Sequence, residues 1–104
     1  RLFNGLALAA EGRARGDEVA VLFAGAGTRW PEALSALGHP AKELYELVRP
    51  SVVGASCGCA EAFGASASVE ACGLPLVTEP DAHWKPELVG PRNYLERGFQ
   101  TFVY

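Results

Sequence analysis

The feature that most constrains the fold is an unbroken apolar run at residues 19–24, with the sequence VAVLFA. A half-buried strand alternates apolar and polar residues, whereas a strand covered by helices on both faces is apolar throughout, as in parallel sheets. Residues 2–16 come before this run and place apolar side chains at the three-and-four spacing of a helix, with a glycine at the end. The chain therefore starts with a predicted helix followed by a predicted buried strand.

The rest of the chain continues this alternation of helices and strands. Further helices are predicted at residues 31–34, 41–48, 60–63, 66–72 and 91–98, and further strands at residues 52–56, 74–78 and 99–104. Such an order favours an α/β fold, a three-layer α/β/α arrangement with a mainly parallel sheet. The length of 104 residues is that of one domain, covering residues 1–104.

The start of the sequence predicts a further strand. The chain begins at Arg1 and contains no methionine. Because its first element is a helix that leads into a buried strand, we expect a strand of the same sheet to precede Arg1, so that the domain is N-terminally incomplete here. The predicted strand at residues 99–104 would lie beside that strand and complete the sheet.

Composition excludes several classes of protein. The net charge is −3 and the basic residues are scattered, which argues against a nucleic-acid partner. No apolar run approaches the ~18 residues of a membrane span, so no membrane partner is expected. Three cysteines are an odd and sparse set, unlike the framework of a disulfide-stapled secreted domain. We therefore expect a reduced, cytoplasmic protein.

The candidate chemistry lies in residues 52–64, VVGASCGCAEAFG, where a predicted strand gives way to a helix. Ligands and reacting groups gather at the carboxyl edge of parallel sheets. The thiolate is the reactive form of cysteine, and the partial positive charge of a helix N-terminus favours it. Cys59 lies nearest the predicted helix start and is the predicted nucleophile, whereas Cys57 either resolves an intermediate or fills space. The alternative is that both cysteines are small buried hydrophobes.

The backbone amides of residues 58–61 are the predicted donors to a Cys59 thiolate, which makes Gly58 and Glu61 binding candidates. The carboxylate of Glu61 would oppose a thiolate at very short range.

Two loops supply the other candidate residues. Trp30 follows the glycine-rich residues 25–29, which lack the full pattern of a phosphate loop, so Trp30 is predicted to be an interface or lid residue. The loop at residues 79–90 contains His83 and Trp84. These residues would contact a ligand or a neighbouring subunit, or they would have the structural role of packing the loop against the domain. His39, between two predicted helices, is predicted to be a turn or cap residue and not a catalytic one.

Neither a metal nor another cofactor is expected. A site made of Cys57, Cys59, Cys72 and a histidine would lack the paired C-x-x-C spacing of structural zinc sites. Cys72 is predicted to be structural. No serine, histidine and acid arrangement with a nucleophile-elbow sequence is present, so a hydrolase of that type is not predicted.

The motif at residues 59–64, CAEAFG, resembles the DsrE/DsrF-like family, whose members carry a cysteine just after the third strand, followed closely by a small residue, a variable one and a glycine. The similarity in the order of elements extends over nearly the whole chain. Family members often carry another cysteine three residues earlier, where this sequence has Ser56, and Cys57 is displaced from that position by one residue.

The resemblance implies a five-stranded parallel sheet with helices on both faces, assembled as trimers or hexamers. In sulfur-handling members of the family the matching cysteine accepts sulfur as a persulfide and passes it to a partner protein. Cys59 would then be the sulfur carrier of a sulfurtransferase-like relay with donor and acceptor proteins. The alternative is a non-catalytic oligomeric module with structural cysteines, in which Trp30 and Trp84 make subunit contacts.

Overall fold

The computed structural model describes residues 1–79, 85, 86 and 89–104. Three parallel strands form its sheet in the order β1-β2-β3, with β1 at Val21–Phe23, β2 at Val52–Ser56 and β3 at Leu76–Val77. The helices are α1 (Leu2–Ala14), α2 (Trp30–Ser35), α3 (Lys42–Val48), α4 (Cys57–Ala62), α5 (Ser66–Ala71) and α6 (Arg92–Glu96), with 3-10 turns at Gly25–Arg29 and Arg49–Ser51. The prediction of an α/β fold with a parallel sheet is confirmed.

The sheet is built around β2, because both other strands pair with it. β2 has the predicted bounds, whereas β1 is shorter than the predicted strand at residues 19–24. The register between β1 and β2 shifts between Val21 and Leu22, and only residues 21–23 pair with the middle strand. The apolar run therefore predicted a strand correctly but overestimated both its length and its burial, because only Phe23 is buried, residues 19–22 are half-buried and Ala24 is exposed.

The third strand is short because of Pro75. A strand was predicted at residues 74–78, but proline has no N–H to donate to a ladder, and β3 begins one residue later. The carbonyl of Pro75 still accepts a hydrogen bond from the Ala55 amide at 3.1 Å. This contact brings the backbone before β3 close against β2.

The prediction of a strand at residues 99–104 is wrong for this structure, because these residues form no strand. The segment folds back toward α1 instead, and the ring of Tyr104 lies over Gly5. A cleft lined by β1 on one side and by residues 98–104 on another separates the segment from the sheet. A strand needs a neighbour for its N–H and C=O groups, and no backbone hydrogen bond joins residues 99–104 to β1 in the described part of the chain.

The core lies between the sheet and the helices that connect its strands. Its largest side chains come from α1, β1, α2, α3 and α5: Leu6, Phe23, Leu34, Tyr45, Val48 and Val69. The rings of Phe23 and Tyr45 meet edge to face, with centroids 6.3 Å apart. Among the described residues, no helix has both the length and the apolar character that crossing a membrane requires.

Candidate functional site

The two cysteines of the C-G-C sequence lie where the middle strand of the sheet ends. β2 ends at Ser56 and α4 begins at the next residue, Cys57. The junction between strand and helix is where the sequence predicts it, but the helix begins three residues earlier than predicted. The ladder between β2 and β3 ends with the pair Ser56 and Val77, so the chain is free to turn immediately afterwards.

Both thiols are free and half-buried. Cys57 and Cys59 both lie in the first turn of α4, two residues apart. Residues at this spacing do not face each other on a helix, so the two side chains leave α4 in different directions. The structure therefore brings the two cysteines into one turn without turning their thiols toward each other.

The early start of α4 changes which backbone amides are available to the site. The first four N–H groups of a helix, counted from its N-cap residue, have no partner within it, and in α4, whose N-cap is Ser56, these belong to residues 56–59. The sequence prediction of residues 58–61 is therefore displaced by two residues, and the amides of Ala60 and Glu61 lie beyond the free set. The side chain of Glu61 is exposed, and Gly58 is in the first turn.

The 3-10 turn at Gly25–Arg29 forms one wall beside α4. Within the turn, the hydroxyl of Thr28 is buried and donates to the carbonyl of Gly25 at 2.9 Å. Arg29 reaches the end of α4, where its Nε donates to the carbonyl of Phe63 at 3.3 Å and its guanidinium lies 5.5 Å from the centre of the Phe63 ring. Arg29 thus links the turn after β1 to the helix that carries the cysteines.

Ser56 joins the site to the segment that returns from the loop at residues 79–90. Its side chain is buried, and its hydroxyl accepts a hydrogen bond from the amide of Val89 at 3.2 Å. At the other end of the loop, the Glu79 amide donates to the carbonyl of Pro86 at 2.7 Å. The first of these hydrogen bonds holds Val89 at the end of β2, next to Cys57, and the second joins Glu79 to Pro86.

The loop candidates have different outcomes. Trp30 begins α2 directly after the 3-10 turn, and its ring meets His39 edge to face at 6.4 Å. His39 lies between α2 and α3, where its Nδ1 accepts a hydrogen bond at 3.1 Å from the amide of Ala41, the N-cap residue of α3. His83 and Trp84 lie outside the described residues.

Cys72 stands apart from the other two cysteines, at the end of α5. Its carbonyl accepts a hydrogen bond from Nη2 of Arg49 at 3.3 Å, and so does that of Gly73. Within the part of the chain that the structure describes, no three histidine, cysteine or acidic side chains gather into a group that could hold a metal ion.

Sequence reasoning missed Arg29 and the structural role of Ser56. Arg29 contacts a carbonyl 34 positions away, and the sequence carries no local signal for such a contact. The signal for Ser56 is its place as the last residue of a buried strand, where a hydroxyl needs a hydrogen-bond partner.

No family model, curated protein or solved structure matches this chain.

Proposed function

We propose that this protein carries sulfur as a persulfide on Cys59. The observation that supports the proposal is the position of a free, half-buried thiol in the first turn of α4, at the carboxyl end of the middle strand. A sulfur carrier needs a thiol that a donor can reach and a short segment that an acceptor can approach. Burial in apolar packing would exclude this role, and Cys59 is not buried in that way.

The transfer needs no redox partner. The Cys59 thiolate attacks the outer sulfur of a donor persulfide, R–S–SH, and a new S–S bond forms at Cys59 as the donor S–S bond breaks. The products are Cys59–S–SH and the donor thiolate, which leaves with the electron pair. An acceptor thiolate repeats the exchange on the outer sulfur and regenerates the Cys59 thiolate.

Cys57 can react with the Cys59 persulfide only under one condition. Its thiolate could attack the inner sulfur of the Cys59 persulfide, which would form a Cys57–Cys59 disulfide and release hydrosulfide. Because the two side chains diverge on α4, that step requires the first turn of the helix to open. In the folded helix the persulfide is therefore protected from Cys57 and available for transfer.

Mass spectrometry of the protein after incubation with a small-molecule persulfide, such as glutathione persulfide, tests the proposal. We expect one added sulfur atom, mapped to Cys59. Cys59→Ser should lose the addition, whereas Cys57→Ser should keep it. Cys72→Ser is the matched control, since Cys72 is also half-buried but lies at the end of α5.

Labelling that persists in Cys59→Ser, or that is equal at all three cysteines, would contradict the proposal. Transfer is tested separately by adding a thiol acceptor to the loaded protein and following loss of the added mass.

We further propose the finer features that the resemblance to the DsrE/DsrF-like family implies. These are a three-layer α/β/α domain with about five strands, assembly into trimers or hexamers, and a cytoplasmic location that keeps the thiols reduced. A second candidate function is a non-catalytic oligomeric module. The nearly complete exposure of Leu37 (94%) favours it, together with the exposed edge of Trp30.

A further inference from the structure

The two cysteines of α4 lie on opposite sides of the helix and have different neighbours there. Residues four apart on a helix share a face, whereas residues two apart do not. Phe63 follows Cys59 by four residues, and its amide donates a hydrogen bond to the carbonyl of Cys59 at 3.0 Å. Glu61 follows Cys57 by four residues. The aromatic ring is therefore beside Cys59, and the carboxylate is beside Cys57.

Arg29 brings a positive charge to the Cys59 side of α4. Its guanidinium lies 5.5 Å from the centre of the Phe63 ring, and its Nε donates to the carbonyl of Phe63 at 3.3 Å. Helical neighbours four apart have Cβ atoms about 5–6 Å from each other, so the guanidinium and the Cys59 side chain are on the order of 10 Å apart. This separation is about one Debye length at 0.1 M salt, and a small molecule can span it.

The charge of Arg29 is not neutralised by a carboxylate of the described residues. Arg29 is exposed, and no ion pair joins it to an acidic side chain in that part of the chain. By contrast, Arg15, Arg92 and Arg97 each pair with a glutamate. A guanidinium has five N–H donors in a planar fork that matches a carboxylate, and the hydrogen bond to Phe63 uses one of them. Arg29 can therefore bind an anionic group.

The 3-10 turn at Gly25–Arg29 and α4 together carry two charged side chains, Arg29 and Glu61. Because these lie beside different cysteines, an approaching anion meets attraction on the Cys59 side of α4 and repulsion on the Cys57 side. Both effects fall with distance and are screened by salt. The two thiols should therefore differ in their preference for charged reagents, although both are half-buried.

We propose that Arg29 selects the sulfur donor of Cys59, and that this donor is a small persulfide that carries a carboxylate. The inference rests on the proposed function, because it names the substrate class of the same thiol. The carboxylate pairs with the Arg29 guanidinium while the outer sulfur of the donor reaches Cys59. The donor is small because one guanidinium and the Phe63 ring offer far less contact than the ~1,000 Å² of a specific protein–protein interface.

Alkylation with iodoacetate and iodoacetamide measures the local charge at each thiol without any sulfur transfer. Each reagent forms an S–C bond with a thiolate and releases iodide, and iodoacetate alone carries a negative charge. Mass mapping gives the ratio of the two rates at Cys59 and, in the same sample, at Cys57. We expect this ratio to be about threefold higher at Cys59 at low ionic strength. The difference should vanish in 1 M salt, where the Debye length is about 3 Å.

Three variants test whether Arg29 causes the preference. Arg29→Gln should lower the iodoacetate to iodoacetamide ratio at Cys59 about threefold and leave the ratio at Cys57 unchanged. Arg29→Lys should retain most of the preference, because it keeps the charge and loses the hydrogen bond to Phe63. Arg15→Gln is the matched control, since it removes the same charge from an exposed side chain. Arg15 precedes the amino end of β1, whereas the cysteines follow the carboxyl end of the parallel strand β2.

Sulfur loading of Cys59 then tests the substrate class. Glutathione persulfide carries carboxylates, whereas cysteamine persulfide carries an ammonium group and no carboxylate. Arg29→Gln should slow the loading of Cys59 by glutathione persulfide about threefold and should not slow loading by cysteamine persulfide. A purely structural role of Arg29 would change both rates in the same direction.

An alkylation ratio at Cys59 that is the same in Arg29→Gln as in the parent would overturn the proposal. A loss of equal size in Arg15→Gln or in Arg29→Lys would also overturn it. Failure of both donors to load Cys59 would overturn the proposed sulfur transfer and the substrate class with it. Loading by both donors at rates that Arg29→Gln does not change would overturn only the role of Arg29 and leave the sulfur carrier standing.

Discussion

Tyr45 is a buried residue whose hydroxyl has no hydrogen-bond partner among the described residues. Burial raises the pKa of Tyr45 above its usual value of about 10, the nearby Arg49 guanidinium opposes this shift and Cys72 adds to it. The phenol is thus held in its neutral form by the core. Its aromatic ring packs on Phe23. Its hydroxyl oxygen loses contact with water and makes no hydrogen bond with the described residues, which costs stability.

Tyr45→Phe should therefore change the pH dependence of stability. As the pH rises past about 10, the unfolded chain loses this proton before the folded protein does. The free energy of unfolding then falls until the pH passes the raised folded pKa, and Tyr45→Phe should lack this fall. Below pH 10 we expect the variant to be as stable as the parent or up to about 1 kcal/mol more stable.

Urea denaturation between pH 8 and about 11 measures this difference. Tyr94→Phe is the matched control, since Tyr94 is only half-buried. A pH dependence lost equally in both variants would show that burial of Tyr45 is not its cause.

At the scale of elements, Gly54 determines how closely the chain before β3 approaches the middle strand. Its φ is +140°, and a Cβ at this position would overlap the carbonyl oxygen of Pro75 and lie 2.7 Å from Cγ2 of Val77. We expect Gly54→Ala to lower the free energy of unfolding by about 3 kcal/mol, because backbone strain and overpacking both contribute. Denaturation in urea at neutral pH measures the loss.

Gly64→Ala separates these two contributions. Gly64 also has a positive φ, +67°, but a Cβ there would meet nothing within 4 Å. Its substitution should cost only about 1 kcal/mol, from the backbone term alone. Similar losses in the two variants would mean that the approach of β3 to β2 does not limit stability.

The elements also show what the sequence could and could not predict. The middle strand is correct to the residue, because Pro50 precedes it closely and the glycine-rich C-G-C sequence ends it. The start of α4 at Cys57 was missed, since it depends on where the ladder with β3 ends. The contact of Arg29 with Phe63 and the irregular path of residues 99–104 were missed for the same reason, because both depend on partners distant in sequence.

At the scale of the whole molecule, the cleft beside β1 and the cysteine site lie in different regions of the fold. The open edge of β1 faces the cleft, whereas the cysteines lie at the carboxyl end of the middle strand. Trp30 begins the helix after the 3-10 turn and lines one end of the cleft. Substitutions in the wall of the cleft should therefore leave sulfur loading of Cys59 unchanged, because neither Cys57 nor Cys59 lines the cleft.

Exposed apolar side chains near Trp30 predict that the protein assembles into oligomers. Leu37 is 94% exposed between α2 and α3, and the Trp30 ring, 39% exposed, contacts His39 in the same turn region. Leu37 lies two residues before His39, and exposed apolar side chains in one region of a surface are candidates for association. We expect sedimentation equilibrium to give a mass three or six times that of the 11.0 kDa chain, in keeping with the proposed trimer or hexamer.

Leu37→Glu tests whether this surface makes the contact. A charge at Leu37 should shift the protein toward the monomer by weakening association about tenfold or more, since an unpaired carboxylate would be buried at the interface. Leu95→Glu is the control, because Leu95 is an exposed leucine on α6. If Leu37→Glu keeps the parent mass, the surface at Trp30 is not the subunit contact. If it becomes monomeric and still accepts sulfur on Cys59, the carrier site is complete within one subunit.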